Sequence, residues 1–143
     1  MGIDDVAYEL LGHTLTWAAA TVREVNEANG WFDEDRSVGD DIALLHSEVS
    51  EAFEEFRSHG LDDVTFDKCC SKARIKTSQQ VHDDWFLNTG HLCKPEGFGS
   101  EMADVLVRLL DTCSRHNIDL GAEFKRKLEY NRTRGYKHGG KRV

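Results

Sequence analysis

The stretch LLHSEVSEAFEEFR, residues 44–57, combines apolar side chains at helical spacing with four glutamates, and it decides the fold. At about 100° per residue its apolar side chains fall on one face, which predicts a helix packed against a core. That face, extended one turn back, contains Ile42, Leu45, Val49, Ala52, Phe53 and Phe56. Glu48, Glu51 and Glu55 share a strip at its edge, whereas Glu54 points to solvent.

The same spacing predicts further helices on both sides of this one, and the sequence shows no strand pattern of any length. The helices cover about 5–28, 40–59, 100–116 and 119–132, with Ser100 as the N-cap of the third. We therefore expect an all-α fold in which antiparallel helices form a bundle, as a single domain over 1–143. Residues 61–99 form a long inserted region or lid between the second and third core helices, and VTFDKCCSKARIK within it predicts one short helix.

The composition is that of an ordinary globular protein, with 143 residues of which 39% are hydrophobic and 31% charged. The first ten residues carry Asp4, Asp5 and Glu9, a charge opposite to that of a targeting leader. No apolar run approaches membrane-spanning length. We therefore expect a cytoplasmic protein that does not enter a membrane. The four cysteines match no standard zinc spacing, so a zinc site is disfavoured.

Positive charge is concentrated at the end of an acidic chain. The formal net charge is −8, yet residues 125–143 carry eight Lys and Arg against one acid, Glu129. Lys127, Asn131 and Arg134 recur at i, i+4 and i+7, and the following turn residues carry Tyr136, His138 and Lys141. Such groups bind phosphates, so residues 134–143 are interpreted as a basic phosphate-binding tail. A long nucleic acid is a disfavoured partner because the acidic remainder repels it.

A second acidic pair lies on the third predicted helix, at Glu101 and Asp104. Acids in a first helical turn are favoured by the helix dipole, and Asp104 has Arg108 one turn further on, so the pair alone needs no ligand. Glu48 and Glu51 have the same spacing on the second helix. If the two helices pack antiparallel, four carboxylates converge, and oxygen-only ligands select Mg²⁺ or Mn²⁺ over zinc.

Three segments, SEVSEAFEEFR, KPEGFGSEMADVLVRLLD and KLEYNRTRGYKHGGKR, give the chain a resemblance to the MazG-like nucleotide pyrophosphohydrolases of the all-α NTP pyrophosphatase superfamily. The acidic pairs resemble that family's ExxE…ExxD metal motif. The resemblance implies Mg²⁺-dependent hydrolysis of a nucleoside triphosphate, a deoxynucleotide or a non-standard nucleotide, to the monophosphate and pyrophosphate. It also implies a homodimer or higher homo-oligomer. The chain departs from the family at Ser47, where the fullest motif has an acid, and in the length of the 61–99 region.

Carried over residue by residue, the resemblance implies Mg²⁺ ligands at Glu48, Glu51, Glu101 and Asp104, with Mn²⁺ as a substitute. Glu48, Glu51 and Glu55 are then the catalytic carboxylates, Glu55 as a further ligand or a base. The implied substrate contacts are Lys127, Asn131, Arg134, Tyr136, His138 and Lys141, with Trp31 stacked on the base. Three alternatives remain open: an enzyme resembling phosphoribosyl-ATP pyrophosphohydrolase, a non-catalytic helical interaction module, and a nucleic-acid binder that uses the tail.

Overall fold

The computed structural model describes residues 3–61, 65–67, 74–75 and 94–134, and most of these residues are helical. The helices in these ranges are α1 Ile3–Ala28, α2 Val38–His59, α3 Phe98–Arg115 and α4 Leu120–Arg132. The strands are β1 Thr65–Asp67, β2 Arg74–Ile75 and β3 Pro95–Glu96. The predicted all-α class is confirmed, because the strands are short and helices form nearly all of the regular structure.

The chain divides into two compact units. One contains the described residues of Met1–Asp35 and Leu110–Val143, and the other contains those of Arg36–Leu109. The single domain over 1–143 and the bundle arrangement remain predictions.

Helices α1 and α4 pack closely in the first unit, and their contacts run antiparallel. Gly121 near the start of α4 lies against Gly12, whereas Lys125 one turn later pairs with Glu9, earlier on α1. A Cβ built on Gly121 would lie 2.4 Å from the carbonyl oxygen of Gly12. Only glycine permits this approach of the two backbones.

The turn after α1 is held by an arginine of α3 in the same unit. Arg115 donates to the backbone oxygens of Trp31 at 2.8 Å and Glu34 at 3.4 Å. Its guanidinium also lies 3.9 Å from the centroid of the Phe32 ring, a cation–π distance. These contacts fix the backbone on which Trp31 is carried.

Helix α2 begins at Val38, two residues before its predicted start, and Ser37 before it forms a capping box. The Ser37 hydroxyl accepts from the Asp40 backbone N–H, and the Asp40 carboxylate accepts from the Ser37 backbone N–H. The hydroxyl of Ser37 also donates to Asp40, and this hydrogen bond lowers the pKa of the Asp40 carboxyl. Beside it, Asp41 is buried and pairs with Arg36 at 3.2 Å.

Helices α2 and α3 are antiparallel where they meet in the second unit. Phe56 near the end of α2 contacts Phe98 at the start of α3, with ring centroids 6.2 Å apart. Glu48, two turns earlier on α2, pairs with Arg108 further along α3. This antiparallel contact is the arrangement under which the two acidic pairs were expected to converge.

A small antiparallel sheet lies between these helices in the sequence, with strand order β2-β1-β3. It was not predicted, and the expectation of a short helix in VTFDKCCSKARIK is wrong at the described residues Thr65–Asp67 and Arg74–Ile75. Strands of two and three residues are too short to show an alternating pattern. The other residues expected to form the lid, 62–64, 68–73 and 76–93, lie outside the described residues.

The predicted core faces are only partly covered within the chain. Among described apolar residues, Ala52, Leu110 and Cys113 are buried, but Val49 is 52% exposed and Phe53 56% exposed. The prediction that the whole α2 face is buried within the chain is therefore wrong. Ile42 and Phe56 on the same face are also exposed. The other helices likewise expose apolar side chains, among them Val6, Leu10, Leu11 and Val25 on α1 and Met102 and Leu106 on α3. Across the described helices, none has the length and apolar content needed to cross a bilayer.

Candidate metal centre

Two strips of polar side chains meet where α2 and α3 pack. Each strip has the spacing i, i+3 and i+7, so its members share one face of their helix. The strips are Glu48, Glu51 and Glu55 on α2, and Glu101, Asp104 and Arg108 on α3. Because the helices are antiparallel, the beginning of the first strip lies against the end of the second.

Three carboxylates of these strips form a cluster, defined here as Glu48, Glu101 and Asp104. Each offers an oxygen within 4.8 Å of the others, and Glu101 is only 3% exposed. Glu48 and Asp104 are half-buried. The structure thus brings together three of the four ligands that the sequence predicted.

Burial and neighbouring charges oppose the ionisation of two carboxylates in the cluster. Burial raises the pKa of the Glu101 carboxyl, Lys94 opposes this rise, and neighbouring carboxylates including Asp104 add to it. Burial also raises the pKa of Asp104, and the charge of Glu48 raises it further. Carboxylates with little access to water repel one another more strongly than on an open surface. A cation at this position would relieve that repulsion.

The raised pKa values of two cluster carboxylates predict how the stability of the metal-free protein depends on pH. Because the folded pKa values of Glu101 and Asp104 are raised, the folded state binds protons more readily than the unfolded state. These two groups therefore add stability as the pH falls through their folded pKa values, until it reaches the ordinary values of 4.5 and 3.8. The free energy of unfolding of the metal-free protein, measured with denaturant at several pH values, should rise less on acidification in Glu101→Gln than in wild type. An equal rise in wild type and variant would contradict this prediction.

A lysine and a fourth acid lie beside the cluster, and neither was predicted from the sequence. Lys94 pairs with Glu96 at 3.0 Å, Glu96 is buried, and this contact raises the pKa of the Lys94 amine.

Gly97 turns the chain from β3 into α3 with φ of 112°, a conformation that favours glycine. Ser100 is not the predicted N-cap but lies inside α3, where its hydroxyl donates to the backbone oxygen of Pro95.

Arg108 contacts the α2 side of the cluster. Its Nε donates to Oε1 of Glu48 at 2.8 Å, and its charge lowers the pKa of Asp104 without overcoming the effect of burial. The sequence suggested Asp104 as its partner, because the two lie one turn apart on the same helix. The structure shows a direct bond from Arg108 to the acid on the other helix.

The remaining glutamates of α2 have separate environments. Glu51 is exposed and outside the three-carboxylate cluster, although its charge adds to the raised pKa of Glu101. Glu55 is half-buried and lies 3.2 Å from Nδ1 of His59. Glu54 points to solvent as predicted and pairs with Arg57. The roles of Glu51 as a ligand and Glu55 as a base remain predictions.

The described residues predicted to contact substrate belong to the other unit. Lys127 and Asn131 are exposed on α4, and Arg134 follows that helix, with its guanidinium 5.1 Å from the ring centroid of Tyr130. Trp31 is half-exposed in the turn after α1. The other predicted contacts, Tyr136, His138 and Lys141, lie outside the described residues.

The donor chemistry of the cluster suits a hard divalent cation. All three groups are carboxylates, which Mg²⁺ and Mn²⁺ accept readily, whereas structural zinc sites in proteins use mainly cysteine and histidine. Oxygens that coordinate one Mg²⁺ at about 2.0–2.1 Å lie within roughly 4 Å of one another, so small side-chain adjustments suffice. Comparison of the chain with protein-family models, curated proteins and solved structures found no match.

Proposed function

We propose that this protein is a Mg²⁺-dependent nucleoside triphosphate pyrophosphohydrolase, with Mn²⁺ as a substitute metal. Its products are a nucleoside monophosphate and pyrophosphate, and its substrate is a deoxynucleotide or a non-standard nucleotide. The observation that carries the proposal is the cluster of Glu48, Glu101 and Asp104 at the contact of two antiparallel helices. The sequence resemblance to MazG-like enzymes, on the same residues, supports the choice of reaction.

The physical support comes from burial and charge. Burial raises the pKa of Glu101 and of Asp104, and the charges of neighbouring carboxylates raise both further, which costs stability at neutral pH unless a cation is bound. A protein that needed these helices only for packing would be more stable with amides or apolar groups at these positions. A ligand that requires the carboxylates accounts for their presence at these positions.

In the proposed reaction Glu48, Glu101 and Asp104 hold the metal, and Glu51 completes the ligand set. When bound, Mg²⁺ supplies Lewis acidity to the phosphate oxygens and to an attacking water. Glu55 is the proposed acceptor of the water proton, and its carboxylate lies 3.2 Å from Nδ1 of His59. Lys127, Asn131 and Arg134 contact the phosphate chain, whose charge they offset in the transition state.

Release of pyrophosphate, measured across all common ribo- and deoxyribonucleoside triphosphates and phosphoribosyl-ATP, tests this function. We expect release that requires Mg²⁺, stops with a chelator and resumes with Mn²⁺. A strong preference for phosphoribosyl-ATP would assign the chain to the sister activity. If no substrate yields pyrophosphate above a metal-free control, the proposed function is wrong.

A second candidate is a non-catalytic helical interaction module, and one observation favours it. Arg108 already pairs with Glu48, and Lys94 with Glu96, so part of the negative charge around the cluster is balanced without a metal. Under this candidate Mg²⁺ leaves the melting temperature unchanged. Under the enzymatic proposal Mg²⁺ raises it, because a ligand that binds only the folded state stabilises that state.

We also propose that the chain forms a homodimer or a higher homo-oligomer through α2. Its apolar side chains Val38, Ile42, Leu45, Val49, Ala52 and Phe56 alternate at spacings of four and three, the pattern of helices that pack against other helices. Val38, Ile42, Val49 and Phe56 are exposed in the single chain. A second copy presenting the same face would cover them. Light scattering should then give a mass of at least about twice 16.2 kDa.

A further inference from the structure

The side chain of Arg108 reaches from α3 to a carboxylate of the cluster on α2. Its Nε donates to Oε1 of Glu48 at 2.8 Å, and the two side chains are 20% and 13% exposed. Arg108 follows Asp104 by four residues, so it lies one helical turn beyond that proposed ligand. The ion pair is therefore mostly removed from water and borders the cluster.

We propose that Arg108 is a positioning residue of the metal centre, which holds Glu48 in the orientation that a divalent cation requires. The inference rests on the proposed function, since it needs the cluster to bind a metal. A glutamate side chain has several rotatable bonds and two oxygens. A guanidinium bonded to that carboxylate restricts the side chain and leaves acceptor positions for the cation.

Two observations favour positioning over simple charge neutralisation. The carboxylate of Glu48 bonds to Arg108 and at the same time offers an oxygen to the cluster, so the contact with Arg108 does not withdraw it from Glu101 and Asp104. The contact is also a short bond through Nε of a planar group, which fixes direction as well as charge. Residues that hydrogen-bond to metal ligands orient them, and their loss weakens metal affinity or activity by about 10- to 100-fold.

Two other roles for Arg108 make different predictions. If its charge competes with the metal for Glu48, removing it strengthens metal binding. If it only ties α2 to α3, removing it lowers the stability of the metal-free protein and leaves metal affinity unchanged. The dissociation constant of the metal and the metal-free melting temperature therefore separate the three roles.

The test measures Mn²⁺ binding to the full nucleotide-free chain by titration calorimetry. Arg108→Gln should bind Mn²⁺ about 10- to 100-fold more weakly than wild type. Arg108→Lys should show a smaller loss, because lysine keeps the charge but not the planar group. Arg57→Gln is the matched control: its pair with Glu54 is 2.9 Å long but 61% and 64% exposed. That control should bind Mn²⁺ as wild type does.

The outcomes separate this inference from the proposed function. Equal or tighter Mn²⁺ binding by both Arg108 variants overturns the inference, including the case in which only their metal-free melting temperature falls. If Arg108→Gln does not fold, Arg108→Lys decides by the same measurement. A wild-type chain that binds no Mn²⁺ defeats the metal centre and this inference together. A wild type that binds Mn²⁺ and releases pyrophosphate, with unchanged Arg108 variants, defeats this inference alone.

Discussion

Replacing Asp104 with asparagine should lower Mg²⁺-dependent pyrophosphate release by at least about 100-fold while leaving the fold intact. The amide has nearly the shape of the carboxylate but lacks the charge that a hard divalent ion requires. Burial and the charge of Glu48 raise the pKa of Asp104, so the substitution also removes an unfavourable charge. We therefore expect a metal-free melting temperature equal to or above that of wild type, measured beside the rate.

The control for this substitution is Glu54→Gln on α2. Glu54 carries the same kind of charge but lies on the solvent side, paired with Arg57. Its amide should leave the rate within about twofold, because exposed ion pairs contribute little. Full activity in Asp104→Asn would remove Asp104 from the ligand set. An equal loss in Glu54→Gln would show that general surface charge controls the rate.

Replacing Gly121 with alanine should reduce the free energy of unfolding by about 1–3 kcal/mol. The added Cβ would lie 2.4 Å from the carbonyl oxygen of Gly12 and 2.8 Å from Oγ1 of Thr16. A backbone oxygen cannot turn away as a long side chain does, so α1 and α4 must separate along their contact. Urea unfolding of wild type and variant measures the loss.

Gly12→Ala is the matched control on the opposite helix. Its added Cβ would meet the carbonyl oxygen of Gly121 at 3.5 Å, an ordinary contact distance. Since alanine favours a helix over glycine by up to about 1 kcal/mol, this variant should be as stable as wild type or more so. If both variants lost stability equally, the helices would tolerate no added methyl group at the crossing. Equal stability of Gly121→Ala and wild type would contradict the close contact.

The helices could be predicted from the sequence because apolar spacing and end signals are local properties. The end of α1 at Ala28 agrees with the prediction, and α4 begins at Leu120, one residue after its predicted start. The start of α3 differs: Ser100 resembles a cap, but the positive φ of Gly97 begins the helix at Phe98. The spacing of apolar residues shows which side chains share a helix face, but it does not show what covers that face. Phe53 was therefore placed correctly on the apolar face of α2, yet it is exposed in the structure.

The residues of the candidate site that lie on helices could be predicted from helical periodicity. Glu48, Glu101 and Asp104 are brought together by two helices whose acidic pairs were visible in the sequence. Glu96 and Lys94 were not predicted, because their approach depends on the turn at Gly97 and on a two-residue strand, neither of which leaves a periodic signal. The partner of Arg108 depends on the packing of α2 against α3, which the spacing on α3 does not determine.

The small sheet anchors the start of the helix that carries two members of the cluster. β2 and β3 both pair with the central strand β1, with Phe66 opposite Ile75 on one side and Pro95 on the other. β3 ends at Glu96 and α3 begins at Phe98, so the pairing of Pro95 with Phe66 fixes the backbone just before α3. The chain that leads into Glu101 and Asp104 is therefore tied to β1 before the helix begins.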